Sequence, residues 1–117
     1  MCSSDLDRGA YLTWLAFNAG EVDVAYNLRA FFADSLDPIT LANHRRVTER
    51  VAAALERGPY LLGGRFTAAD ILVSGPFEWD PGLQDDNRAI RDWLARLSAR
   101  PAARRMLDRD TPAPTAW

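Results

Sequence analysis

Apolar residues recur along most of this chain at the three-to-four spacing of amphipathic helices, and no stretch carries a strand signal of any strength. From about Asp7 to Ala33, two adjoining stripes predict one long helix buried over a wide arc: Leu12, Leu15, Ala19, Val22 and Tyr26 beside Tyr11, Trp14, Asn18, Ala25 and Phe32. Gly20 falls inside it, costs about 1 kcal/mol relative to Ala, and marks a place for a bend or a close contact. Residues 1–6 have no period, are assigned no fold, and read as a loose leader or the ragged start of a truncated reading frame.

Asp37 as N-cap and Pro38 at the first helical position open a second helix, with Leu36 and Leu41 as an apolar staple across its start. Its seam is His44, Val47, Val51 and Leu55, and its charged residues point mostly outward. Gly58 and Pro59 end it. Two helices joined by so short a turn form an antiparallel hairpin.

Tyr60 to Arg65 is a compact apolar loop whose paired glycines allow positive φ. It leads into Phe66-Thr67-Ala68-Ala69-Asp70-Ile71, the strongest local signal in the chain. Thr67 can bond the amide of Asp70 while the Asp70 carboxylate returns to the amide of Thr67, a capping box, and Phe66 and Ile71 occupy the positions of a hydrophobic staple. The four residues are assigned a structural role. Ile71, Leu72 and Val73 in succession predict that the helix they open is the buried central one. Gly75 and Pro76 are expected to end or kink it, with Phe77 to Gly82 as a turn or short helical piece. Asp85 or Asp86 caps the next helix, striped by Ile90, Trp93, Leu94 and Leu97. Pro101 starts a last helix through about Leu107, followed by a tail over 109–117 read as mobile. The sum is an all-α bundle of about five helices in one domain, residues 7–108.

Composition narrows the function classes. A chain of 117 residues with 48% hydrophobic and 26% charged residues suits one globular core, and no run approaches the roughly 18 apolar residues of a membrane span. A net charge of -2 disfavours nucleic acid, and Arg100, Arg104 and Arg105 read as a solvated helix face. Cys2 and His44 are the only residues of their types, so neither a disulfide nor a structural zinc set is expected, and no metal site. Cys2 reads as a spectator thiol and His44 as a hydrogen-bonded, partly buried side chain. Nothing at the start resembles a secretory signal, which leaves the cytoplasm as the expected compartment.

The order of features then gains a second meaning. Trp14-Leu15-Ala16-Phe17-Asn18-Ala19-Gly20, Gly58-Pro59-Tyr60-Leu61-Leu62-Gly63, the capping box, Trp93-Leu94 and Arg100-Pro101-Ala102 together resemble the C-terminal helical domain of cytosolic glutathione S-transferases, bacterial ones in particular, over residues 7 to 107. The resemblance implies that Thr67 and Asp70 start the central helix and govern its folding. It implies that glutathione is the co-substrate of the complete enzyme and that catalytic groups belong to a thioredoxin-like N-terminal domain. That domain is missing here, so no catalytic residue, no cofactor for this chain alone and no independent activity are expected. Homodimer formation and a small hydrophobic electrophile complete the expected partners. Tyr11, Trp14, Leu15 and Asn18 on the first helix are the candidates for lining the electrophile site. The beta class uses a His-Lys pair where Asp23 and Val24 stand, a departure from that class. The alternative is a non-catalytic interaction or scaffold module with the same fold.

Overall fold

The first rod is one continuous helical run with an irregular centre: α1 (Ser3–Phe17) passes through a π segment (Asn18–Val22) into α2 (Asp23–Phe31). The computed structural model describes residues 3–32, 34, 37–79 and 87–111. Burial explains the π turn. Trp14, Phe17 and Asn18 are buried up to its start and Val22, Ala25 and Tyr26 from its end, so the second set repeats the first after eight residues (14 to 22, 17 to 25, 18 to 26). Two α-turns span about seven residues, and a π turn with its i→i+5 bonds takes one more. An unbroken α-helix would rotate the later set away by roughly 80°. Gly20 sits in this segment, yet a Cβ there would meet nothing within 4 Å, so burial phase and not close packing accounts for the irregularity. Three stripe positions, Leu12, Ala19 and Phe32, are exposed. Ser3–Leu6 belong to α1, where the sequence has no period. Met1 and Cys2 lie outside the described residues.

Asp37 caps α3 (Pro38–Leu55): its carboxylate accepts from the amides of Ile39 (2.8 Å) and Thr40 (3.0 Å) and from the Thr40 hydroxyl (2.8 Å). The Thr40 amide, then its hydroxyl, hold the Asp37 carboxyl below the usual carboxylate range. Leu36, the expected staple partner of Leu41, lies outside the described residues. The seam His44, Val47, Val51 and Leu55 is buried, together with Thr48.

α4 (Ala68–Trp79) touches α1, the π segment, α2 and α5 (Arg88–Ser98), and Asp70 fastens it. The fully buried carboxylate accepts from the Thr67 amide (3.0 Å) through Oδ2, and from the Leu61 amide (3.0 Å) and the Trp93 indole Nε1–H (2.9 Å) through Oδ1. One side chain therefore ties a loop, a helix start and a second helix. The other half of the box differs from expectation. The Asp70 amide is already taken by the Thr67 carbonyl (3.1 Å), so the Thr67 hydroxyl accepts from Ala69 instead (3.2 Å). Phe66 packs edge-on against Tyr60 at 5.8 Å, whereas Ile71 is 57% exposed; the aromatic pair closes over the box.

The loop that delivers the Leu61 amide is itself held. Tyr60 and Gly63 exchange backbone bonds (3.0 and 3.1 Å), Gly63 sits at φ 83°, and Arg96 donates twice to the Pro59 carbonyl (3.1 and 2.9 Å). A Cβ on Gly58 would lie 2.6 Å from the Gly63 backbone, so glycine is required there.

α4 departs from expectation at both of its apolar signals. Of Ile71-Leu72-Val73 only Val73 is buried, because consecutive helical residues point about 100° apart and α4 has a free outer side. The helix also continues through Gly75 and Pro76 to Trp79. An interior Pro costs about 3 kcal/mol. Burial of Phe77, with its ring 4.5 Å from Tyr26 and 6.1 Å from Trp93, recovers a comparable amount at about 2–3 kcal/mol plus roughly 1 per ring pair. Asn87, not Asp85 or Asp86, caps α5 by accepting from the Ile90 amide (3.1 Å); Asn caps as well as Asp, and residues 80–86 lie outside the described residues. Ile90, Trp93 and Leu97 are buried, Leu94 partly. α6 (Pro101–Asp110) extends past Leu107 and buries no residue fully. The fold is all-helical, and among the described residues no helix is long and apolar enough to cross a membrane.

Three outcomes follow for stability, read by urea unfolding. Asp70→Ala leaves three N–H donors without their acceptor and lowers stability by about 3–5 kcal/mol, while Trp93→Phe removes one bond and costs about 1 kcal/mol. Deleting Ala19 regularises the π segment and destabilises the domain by several times more than Gly20→Ala, which is neutral or stabilising by up to about 1 kcal/mol. Asp37, whose folded value is depressed, contributes stability present above its unfolded value and lost as pH falls through the folded one; the advantage of wild type over Asp37→Asn therefore shrinks below about pH 4.

Candidate functional site

The four candidates on the first helix share one face but not one environment. Trp14 is 9% exposed, edge-on to Phe17 at 5.4 Å, with the Arg50 guanidinium 5.7 Å from its ring and 4.2 Å from that of Phe17. Leu15 is partly buried against the core. Asn18 is buried in the π segment, and its Oδ1 has no hydrogen-bond partner. Tyr11 opens on a surface recess. That recess, about 320 Å³, lies where α1 passes the start of α4 and is lined by Tyr11, Arg8, Leu62, Arg65 and Thr67. An Asp7–Arg65 pair at 3.7 Å sits on its rim, too exposed to be worth much energy. The capping residue Thr67 thus borders the recess while its partner Asp70 lies buried behind it. An aromatic ring, an aliphatic wall and two guanidinium groups can hold a small molecule by shape and charge.

A larger recess of about 560 Å³ surrounds His44, with Arg29, Arg45, Thr48 and Glu49 among its walls. Arg29 donates to Nδ1 of His44 (2.9 Å), which leaves the imidazole proton on Nε2. Thr48 donates to the His44 carbonyl (3.0 Å), so the Tyr26 hydroxyl donates to Thr48 (2.6 Å), and the Tyr26 ring lies 4.4 Å from the imidazole. This is a buried polar network joining α2 to α3, the environment expected of His44; its Tyr26 and Thr48 members carry no sequence motif and emerge from packing alone. Among the described residues no group of three or more His, Cys, Asp or Glu side chains converges as a metal site. Cys2, Asp85 and Asp86 lie outside the described residues.

The feature the apolar pattern hides is the outward side of α4. Ala68, Ile71, Leu72, Gly75 and Trp79 face away from the core, with Leu72 49% and Trp79 63% exposed, and Glu78 is the one charge on that side. Phe31 of α2 extends the surface, its ring 5.8 Å from that of Trp79.

A comparison with curated proteins finds no match. The sequence model of the glutathione S-transferase C-terminal domain matches residues 30–101, from the end of α2 to the start of α6. It spans the loop, the capping box and the Asp70–Trp93 tie, and leaves Tyr11 to Asn18 outside the matched range. With more than half of its length matched and an all-helical fold, the chain belongs to the glutathione S-transferase C-terminal domain family.

Proposed function

We propose that this chain is the helical half of a cytoplasmic glutathione-conjugating transferase, packing against a thioredoxin-like half that binds glutathione and presenting Tyr11 to the electrophile between them. The outward side of α4 carries the reading. Helices of water-soluble domains put charged residues on their free face, yet here Ile71, Leu72 and Trp79 stand open around a single carboxylate. A free-standing scaffold module would be served better by a polar face there.

In this division of labour the other half lowers the thiol pKa of glutathione, and the thiolate attacks the electrophile. The helical half raises the effective concentration of that electrophile by holding it at the Tyr11 recess. It supplies no nucleophile or base, so the chain alone does not accelerate conjugation.

Joined in one polypeptide to a glutathione-binding thioredoxin-like half, the chain is expected to support conjugation of a model aryl halide. Tyr11→Ala then raises KM for the aryl halide severalfold and leaves KM for glutathione unchanged, while Leu72→Asp weakens packing of the halves. Saturable turnover by the chain alone, or a Tyr11→Ala effect confined to glutathione, contradicts the proposal.

A further inference from the structure

α4 and α6 leave between them a cleft of about 220 Å³ that shares Ile71 and Glu78 with the outward side of α4. Its walls are mainly apolar: Phe66, Ile71, Leu97, Ala103 and Met106. Ser74 contributes a hydroxyl whose proton is engaged with the Ile71 carbonyl (3.0 Å). Two charges line it as well, and they sit at opposite ends. Arg100 lies by Phe66, just before α4 begins, its guanidinium carbon 3.2 Å from the ring centroid. Glu78 lies ten residues after Ala68, about 15 Å further along the axis. Among the described residues neither forms an ion pair, and none accepts a hydrogen bond from the Arg100 side chain.

We propose that this cleft binds a small amphipathic carboxylate with a flat apolar body, an aryl carboxylate, whose ring enters between Ile71 and Met106 and whose carboxylate meets Arg100. Three observations fix the class. The volume of the open cleft is that of a fragment-sized molecule, below the range of larger drug-like ligands. The guanidinium is held in place by the Phe66 ring and keeps its planar fork of donors for a carboxylate. Glu78 repels a second negative charge at the far end, so the ligand carries one carboxylate and a defined orientation. The site shares no residue with the Tyr11 recess.

The test is an isotope-detected NMR titration of the full chain with naphthoate and with its neutral amide, naphthamide. Naphthoate is expected to bind saturably, shifting the amides of Ile71, Ser74 and Ala103, and naphthamide to bind about tenfold more weakly. Arg100→Gln brings naphthoate down to the affinity of the amide without changing that of naphthamide. Glu78→Gln tightens naphthoate and not naphthamide. Ala103→Trp fills the cleft and removes both, with Ile71→Trp as a second filling variant and a melting curve to show that each remains folded. Equal affinity for acid and amide, or binding that survives both filling variants, overturns the proposal as an adventitious additive only. Self-association that Ala103→Trp abolishes overturns it in favour of a second copy of the chain.

Discussion

The Asp70 carboxylate is the constraint on which the rest of the fold depends. A fully buried carboxylate without partners is prohibitively costly, so the chain must bring donors to it, and the three it brings come from separate segments. The Thr67 amide is local, the Leu61 amide requires the loop to be closed, and the Trp93 indole requires α5 to be docked. Satisfying one acceptor therefore enforces three pieces of tertiary structure together. The glycines at 58 and 63 and the Arg96 bonds to Pro59 serve the same end, because the loop can present Leu61 only if it is folded back on itself.

A second constraint operates on the first rod. The sequence places its two buried sets eight residues apart, and the π segment absorbs the extra residue so that both meet the same neighbours, α3 and α4. With its inner side committed to Asp70, Val73 and Phe77, α4 turns its remaining apolar residues outward. The inward side of that helix builds the domain, and the outward side is where the proposed partner half would be recognised.

Local signals were legible wherever a residue acts through its own sequence neighbours. Asp37 and Pro38 start α3, the seam from His44 to Leu55 is buried, and Asp70 returns to Thr67 as the spacing requires. What escaped depends on tertiary phase. The spacing of Trp14 and Val22 does not reveal a π turn until burial is known, and Gly75-Pro76 does not predict helix continuation without the Phe77 contacts. The candidate site was legible in part: a stripe at helical spacing cannot separate Tyr11, which meets a recess, from Trp14 and Asn18, which meet the core. The bonds from Leu61 and Trp93 to Asp70 span nine and 23 positions and leave no motif.

Native-state hydrogen exchange measures the Asp70 tie most directly. If the carboxylate joins three segments into one cooperative unit, the Leu61 amide and the Trp93 indole proton exchange only through global unfolding, with the same free energy as the buried amides of α4 and the same denaturant dependence. Exchange of either proton through local opening, at a free energy well below that of the α4 core, would contradict the claim that this carboxylate holds loop, helix start and α5 together.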